Sequence, residues 1–228
     1  MKLILVVLLA TISFQGLANY NTSGIGPAPT IVEANLFFIS EGGPTAWNAT
    51  PGFPTGFHCG PSSWWMGAAA LGLLRHPNPF EAQRAITYLA KLTPHPQGRS
   101  TSGQVLLNGI QKLSSLASGK SIDGSLSEID AALLRGNPVI IRGAPRDAWG
   151  IRLSSEGKYL WNFSVHHQDF EHWSIIFGKR SDGLYIIGDP MSSVGSTLAS
   201  GKEIELFLIL GAARFNNRES WELFVRTP

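Results

Sequence analysis

The spacing of apolar and polar residues changes near the middle of the chain. Between Cys59 and Arg135 the apolar residues recur at helical intervals, and possible capping residues stand where helices would begin. Asn78, Pro79 and Glu81 form one such start, and Ser125 with Glu128 forms another. The pattern predicts four helices: Pro61 to Leu74, Pro79 to Leu92, about Ser102 to Leu116, and Ser125 to Gly136.

The first predicted helix, PSSWWMGAAALGLL, is apolar around nearly its whole circumference. A helix of this kind has no face suited to solvent, and the pattern is typical of a central, buried helix. Pro61 suits the first helical position, where its missing N–H costs no intrahelical hydrogen bond.

After Gly136 the pattern turns to short apolar runs separated by Gly, Asp, Ser and Asn. A further strand is expected before the first helix, at Ile31 to Ser40. A helical part followed by an antiparallel sheet makes the predicted fold class α+β. The later runs predict five strands: Val139 to Arg142, Trp173 to Phe177, Leu184 to Ile187, Leu206 to Leu210, and Trp221 to Val225.

The first eighteen residues have the features of a secretory signal peptide. Lys2 is a minimal basic start, Leu3 to Phe14 is an apolar run, and small residues follow at Gly16 to Ala18. The alternative is an amphipathic or buried first helix. No later run is long enough to span a membrane. We therefore expect removal of residues 1–18 and a secreted or periplasmic mature chain of residues 19–228.

Composition favours an ordered globular protein over a nucleic-acid binder. Of the 228 residues, 43% are hydrophobic and 15% charged, which leaves little room for long disorder. The formal net charge is only +2, and the basic residues are scattered, so nucleic acid is not an expected partner. Cys59 is the only cysteine. In an exported chain it is either a reactive thiol or a buried inert one, because it has no internal disulfide partner.

Three residues have the chemistry of a cysteine nucleophile and its supporting groups. Cys59 stands at a predicted helix start, where peptide dipoles favour the thiolate. His172 opens the strand HWSIIFG, and Asp189 precedes Pro190 after the next strand. An imidazole that accepts the thiol proton needs a third group to hold it in the right tautomer. A structural thiol, a strand-end histidine and a turn-forming aspartate are the alternatives.

The pairing of these two strands decides whether His172 and Asp189 meet. A hairpin with a four-residue loop from Lys179 to Asp182 places His172 directly opposite Asp189, within reach on one sheet face. A two-residue Asp182-Gly183 turn is the rival, since Asp-Gly is a strong hairpin signal. That register places Asp189 opposite Ile176. The triad is therefore expected only with the longer loop.

The segment VHHQDFEHW is dense in groups that ligate metals. Zinc requires three or four convergent ligands, which a short loop does not ensure. The alternative is a loop at the rim of the active site with solvated histidines. We expect no metal and no cofactor. The ligand-type residues are His166, His167, Asp169, Glu171 and His172.

Several motifs, in order, resemble those of papain-like cysteine peptidases. CGPSSWWMGAAALG resembles their nucleophile helix, particularly in bacterial families with a CGP start, including peptidases that process double-glycine leaders. LLRGNPVIIRG and HWSIIFGKRSDGLYIIGDP are similar to the second half of the same fold. The resemblance covers about residues 56–191. It implies a single papain-like catalytic domain over residues 19–228, helical over about 57–136 and β over about 137–228.

The resemblance also implies roles for individual residues. Cys59 matches the nucleophile, His172 the general base and acid, and Asp189 the residue that orients the histidine. Papain-like enzymes bind the oxyanion with the cysteine backbone N–H and usually an upstream glutamine side chain. Here the only upstream glutamine is Gln15, inside the proposed leader. Candidates to replace it, by residue type alone, are Asn48, Thr55 and His58.

The expected function is therefore that of an exported cysteine peptidase or amidase. It would hydrolyse amide bonds of a peptide or protein substrate through a thioester intermediate. One alternative is another reaction through the same intermediate, carried out by an acyltransferase, a deamidase or a cell-wall amidase. A second alternative is a non-catalytic binding module, because a fold alone does not establish a function.

Overall fold

A computed structural model of the chain describes residues 58–75, 79–93, 101–144, 171–190, 195–215 and 219–227, together with Thr30 and Ala34. The proposed signal peptide lies outside these residues. Within these ranges no helix is long and apolar enough to cross a membrane. The Ala34 N–H donates to the Thr30 carbonyl at 2.9 Å, an i to i−4 helical bond. The strand predicted over Ile31 to Ser40 is therefore wrong at Ala34.

Helices and one antiparallel sheet make up the described part of the chain, which confirms the α+β class. The sheet order is β1-β6-β2-β3-β4-β5, with antiparallel neighbours throughout. The helices are α1 (Cys59–Ala70), α2 (Pro79–Leu92), α3 (Gly103–Leu113), α4 (Leu126–Leu134) and α5 (Gly201–Phe215). The strands are β1 (Ala117–Ile122), β2 (Val139–Gly143), β3 (His172–Lys179), β4 (Tyr185–Gly188), β5 (Thr197–Ala199) and β6 (Glu219–Val225).

Each face of the sheet packs against helices. The first core joins α1, α2 and α3 to one face, and α1 is its centre because Trp64, Met66 and Ala68 are fully buried. The second core joins α4 and α5 to the other face, through residues such as Ile129 and Phe207. The buried central helix predicted from the sequence is therefore confirmed. Alternating side chains of β2 and β3 supply both cores, so these two strands lie in the middle of the molecule.

The strand predicted over Leu206 to Leu210 is wrong, because these residues lie inside helix α5. Ser200 and Glu203 form a reciprocal cap: the Ser200 N–H donates to Glu203 Oε2 at 2.6 Å, and the Glu203 N–H donates to Ser200 Oγ at 3.4 Å. Ile204, Phe207 and Leu208 are then buried at helical spacing. The Ser-x-x-Glu signal was present in the sequence and indicated this helix.

Other differences concern element ends and short strands. Helix α1 ends at Ala70 instead of Leu74, because Gly72 adopts φ +68° and its N–H donates to the Ala69 carbonyl. Helix α3 ends at Leu113 instead of Leu116. Strands β1 and β5 were not predicted; the first is a largely polar edge strand, ASGKSI, and the second has three residues. The predicted bounds of α2 and the Ser125 cap of α4 are confirmed.

Candidate active site

Cys59 is the first residue of helix α1. The Cys59 residue is 5% exposed and stands at the N-terminus of the helix. The first N–H groups of any helix have no intrahelical carbonyl partner, and they place partial positive charge at this end. Pro61 occupies the third helical position, not the predicted first, and its missing N–H still falls in this turn. The local fold therefore places the thiol where negative charge is stabilised.

His172 is the first residue of β3 and lies in the middle of the sheet. It is fully buried and stands opposite Gly143 of β2. Gly143 has no room for a side chain, because a Cβ there would collide with the Phe207 carbonyl oxygen of α5. The Ala144 N–H also donates to that carbonyl, at 3.1 Å. The strand end that carries His172 is therefore packed closely against α5 through its partner strand.

Asp189 follows the last residue of β4, and its carboxylate contacts His172. The distance from His172 Nε2 to Asp189 Oδ1 is 2.7 Å, and both side chains are almost completely buried. Asp189 is the next residue after Gly188, which pairs with Ile175. Extending that register places Asp189 opposite Ser174, two residues from His172 on the same face. Diagonal neighbours of this kind are within reach of each other's side chains.

Neither of the two predicted hairpin registers is correct. Near the site the pairs are Ile175 with Gly188 and Ile176 with Ile187, whereas nearer the turn Lys179 pairs with Tyr185. A bulge between Ile176 and Gly178 shifts the register by one residue. Residues 180–184 form the loop, closed by an Arg180 N–H that donates to the Leu184 carbonyl at 2.7 Å. The expectation that only direct opposition would join His172 to Asp189 is therefore wrong.

The electrostatic environment of His172 favours its charged form. Burial lowers the pKa of the imidazole, but the Asp189 carboxylate and the Cys59 side chain together raise it by more. The pKa of His172 therefore lies well above its ordinary value of 6.5. Because Nε2 faces Asp189, Nδ1 is the ring nitrogen left to exchange a proton with the thiol. The arrangement can hold a thiolate beside an imidazolium and return the proton to a leaving group.

The remaining candidate residues are only partly described. His58 is buried and holds the N-cap position of α1, but its side chain makes no capping hydrogen bond to the helix. Asn48 and Thr55 lie outside the described residues, as do His166, His167 and Asp169. Among the residues that are described, no group of three or more His, Cys, Asp or Glu could hold a metal ion.

The structure adds a charged cluster next to the site that was not predicted. Arg142 of β2 is buried, and its guanidinium contacts Glu171 and Glu219, each at 2.5 Å. Glu171 directly precedes His172. The sequence did contain a signal for this cluster, because Arg142 is the single charged residue in the apolar strand VIIRG. A charged residue that is buried with such a strand requires charged or hydrogen-bonding partners.

Comparison with solved structures decides the fold. A C39-like peptidase from Bacillus anthracis superposes with a TM-score of 0.50 at 16% identity, over 86% of this chain and 97% of that one. The chain has a papain-like fold. Xylellain, a cysteine protease from Xylella fastidiosa, aligns with a TM-score of 0.40 at 12% identity, over 90% of this chain and 97% of its own. No model of a known protein family matches the chain, and no curated protein matches it.

In this papain-like fold the start of α1, the start of β3 and the residue after β4 come together. Helix α1 lies far from the β3–β4 hairpin in the sequence, and the three side chains meet because β3 and β4 are paired and α1 packs on the sheet beside them. At a sequence identity of 16%, the similarity to the solved structure concerns the backbone fold only. The chemistry of the site has to be inferred from the side chains of this chain.

Proposed function

We propose that the protein is an exported cysteine peptidase or amidase that uses Cys59, His172 and Asp189. The observation that carries the proposal is the buried contact of 2.7 Å between His172 Nε2 and Asp189 Oδ1. The Cys59 side chain interacts with the same imidazole and raises its pKa. The solved structure from Bacillus anthracis that shares this fold is named as a C39-like peptidase, which adds support. A structural thiol does not require a buried carboxylate-oriented histidine beside it.

The first half of the proposed reaction forms a thioester. The Cys59 thiolate attacks the carbonyl carbon of an amide, and the carbonyl oxygen becomes an oxyanion near the N-terminus of α1. The backbone N–H of Cys59 is the natural donor to that oxygen. The His172 imidazolium then gives its proton to the amide nitrogen, the C–N bond breaks, and the amine leaves.

The second half regenerates the thiol. Neutral His172 removes a proton from water, the hydroxide oxygen attacks the thioester carbon, and the C–S bond breaks. The products are a carboxylic acid and free Cys59, with the proton shared between sulfur and imidazole as before. Asp189 holds the imidazole in one orientation through both halves, and its negative charge stabilises the imidazolium.

The candidates for a second oxyanion donor are chosen by residue type. His58 holds the position before Cys59 and is the candidate among the described residues, while Asn48 and Thr55 remain candidates from the sequence. Removal of one such donor typically costs about 100-fold to 1000-fold in kcat. We therefore expect the His58→Ala variant to lose activity by such a factor only if the imidazole of His58 is that donor.

Alkylation of the folded protein tests the proposal. We expect iodoacetamide to label Cys59 stoichiometrically at mildly acidic pH, and His172→Ala to lose most of that reactivity while remaining folded by circular dichroism. Cys59→Ala is the control for labelling elsewhere. A thiol that reacts only after unfolding would contradict every enzymatic interpretation.

The type of reaction needs a separate experiment. The mature protein is incubated with a mixed peptide library, with and without an added primary amine, and the products are analysed by mass spectrometry. We expect new free carboxylates. Products that carry the amine would instead indicate acyl transfer, and conversion of glutamine to glutamate would indicate deamidation. Export is tested by N-terminal sequencing of the protein recovered outside the cytoplasm, with Asn19 as the expected first residue.

A further inference from the structure

Arg142 is a buried cation placed directly beside the proposed catalytic histidine. In the β2–β3 pairing it stands opposite Trp173, and the next pair is Gly143 with His172. Its Nη2 donates to Glu171 Oε2 at 2.5 Å, and its side chain is only 5% exposed. Glu171 and Trp173 are the two chain neighbours of His172. One guanidinium therefore contacts the residues on both sides of the imidazole-bearing position.

The contact with Trp173 extends to the nucleophile helix. The guanidinium carbon of Arg142 lies 5.4 Å from the centroid of the Trp173 ring, the geometry of a cation–π interaction. The indole in turn packs on the first turn of α1, where a Cβ on Gly60 would lie 3.2 Å from Trp173 Cδ1. Gly60 is the residue after Cys59. The Trp173 ring thus lies between the Arg142 guanidinium and the first turn of the helix that carries Cys59.

A second carboxylate links the same guanidinium to α3 and, by another route, to α1. Arg142 Nη1 donates to Glu219 Oε1 at 2.5 Å. The other oxygen of Glu219 accepts from the Gly103 N–H at 2.8 Å, at the start of α3, and from Trp221 Nε1 at 3.1 Å. Trp221 packs against Trp64 of α1, with ring centroids 5.8 Å apart. The network connects the start of β3 to α3 and α1.

We propose that Arg142 is a positioning residue for the cysteine–histidine pair. It fixes Glu171 and Trp173, and thereby holds His172 where the imidazole meets both Cys59 of α1 and Asp189 beyond β4. The inference rests on the proposed function, because it concerns the same site. The planar fork of arginine suits two carboxylates and an aromatic face together, whereas a lysine ammonium cannot satisfy all three. A buried ion pair is by itself weak support for stability, which leaves positioning as its role here.

A second arginine–glutamate pair provides the matched control. Arg135 donates to Glu222 from Nε at 2.8 Å and from Nη2 at 2.6 Å, and Glu222 lies on β6 opposite Val139. Glu222 lies three residues after Glu219 on β6, on the other face of the sheet, and Arg135 follows helix α4 seven residues before Arg142. The side chain of Arg135 is 48% exposed, against 5% for Arg142, so this pair controls for the loss of an arginine–glutamate ion pair away from the start of β3.

The test is the pH profile of Cys59 alkylation by iodoacetamide, measured by intact mass on the full mature chain. We expect Arg142→Lys and Glu171→Gln to lower the rate at mildly acidic pH by about 10-fold to 100-fold, the cost typical of a catalytic group displaced by about 1 Å. Arg135→Lys and Glu222→Gln should stay within about twofold of the wild type, because the two sites are separate. Circular dichroism verifies that each variant is folded.

The results distinguish a role of Arg142 in positioning His172 from a role in stabilising the fold alone. Equal profiles for the Arg142 and Arg135 variants, whether both changed or both unchanged, would overturn the positioning role while leaving the proposed function intact. If Arg142→Lys does not fold, Glu171→Gln decides, since the Glu171 side chain is less buried than that of Arg142. A wild-type thiol that does not label in the folded state would overturn the proposed function and this inference with it.

Discussion

His172 Nε2 lies 2.7 Å from Asp189 Oδ1, and both residues are fully buried. The two residues are diagonal neighbours on β3 and on the extension of β4, not direct partners. A charged carboxylate in such a place requires a hydrogen-bonded partner, because an isolated buried charge is costly. The contact therefore fixes the imidazole and compensates the buried aspartate at once, and each group depends on the other.

Replacing Asp189 by asparagine should reduce activity without abolishing it. The asparagine side-chain oxygen still accepts a hydrogen bond from Nε2, but the negative charge that stabilises the imidazolium is lost. We expect a decrease of about 10-fold to 100-fold, by analogy with the carboxylates that orient metal-ligating histidines. Cys59→Ala removes the nucleophile and should cost about a million-fold, by comparison with loss of a catalytic serine.

The measurement is the rate of hydrolysis of a peptide identified in the library experiment. Asp189→Ala is the second variant, and its activity should be lower than that of Asp189→Asn because it removes the acceptor that residue 189 presents to His172 Nε2. If the asparagine and alanine variants lose equal activity, the orienting hydrogen bond is not what Asp189 supplies.

The stability of the protein should depend on pH through His172. Because its folded pKa lies well above 6.5, the protonated form stabilises the folded state. That contribution is fully present below pH 6.5, the unfolded pKa, and is lost as pH rises through the folded pKa. We therefore expect the free energy of unfolding to fall as pH is raised from 6.5 into the alkaline range.

Urea denaturation at several pH values measures this dependence. His172→Gln removes the titrating group, so the pH slope of the difference between wild type and variant isolates the histidine from other titrations. A difference that is flat from pH 6.5 upwards, or that grows, would show that Asp189 and Cys59 do not raise the pKa as the geometry indicates.

Gly143→Ala should disturb the active site by displacing the backbone of β2 beside His172. A Cβ at this position collides with the Phe207 carbonyl oxygen and ring, so β2 and α5 must move apart. Overpacking of this kind usually costs about 1–3 kcal/mol, and here it also shifts the partner of His172. We expect lower stability together with slower alkylation of Cys59.

The matched control for Gly143→Ala is Gly119→Ala on the edge strand β1. There the nearest atoms to an added Cβ are the Glu222 carbonyl oxygen and Leu107 Cδ1, each at 3.3 Å, and the strand is three positions from β3 in the sheet order. Both variants are compared by urea denaturation and by alkylation rate. Equal effects of the two substitutions on the alkylation rate would argue against a role of Gly143 at the site.

Local signals were enough for several parts of the molecule. The apolar run after Cys59 indicated a buried helix, and Ser125 with Glu128 indicated the start of α4, where the Glu128 N–H does donate to Ser125 Oγ. These features depend on residues within one or two turns of each other, and such contacts form largely independently of the rest of the fold. The three residue types of the proposed triad were likewise visible in the chain.

Other parts could not be deduced locally. The register of β3 and β4 depends on a bulge between Ile176 and Gly178, which shifts the pairs near the site by one residue relative to those near the turn, and neither loop length considered from the sequence included it. The apolar run Leu206 to Leu210 is a different case, because it has the composition of a strand but follows the local Ser200–Glu203 capping signal of helix α5. Phe207 and Leu208 then pack against β2 as part of that helix.

The chain alone determined which groups are available: one thiol at a helix start, a histidine at a strand start and an aspartate after the following strand. Only the tertiary structure decided that they meet, and that the Arg142 guanidinium stands beside them between Glu171 and Glu219. The physical reason is distance along the chain. A buried charge network requires partners from β2, β3 and β6 together, and no pattern within a single segment specifies that convergence.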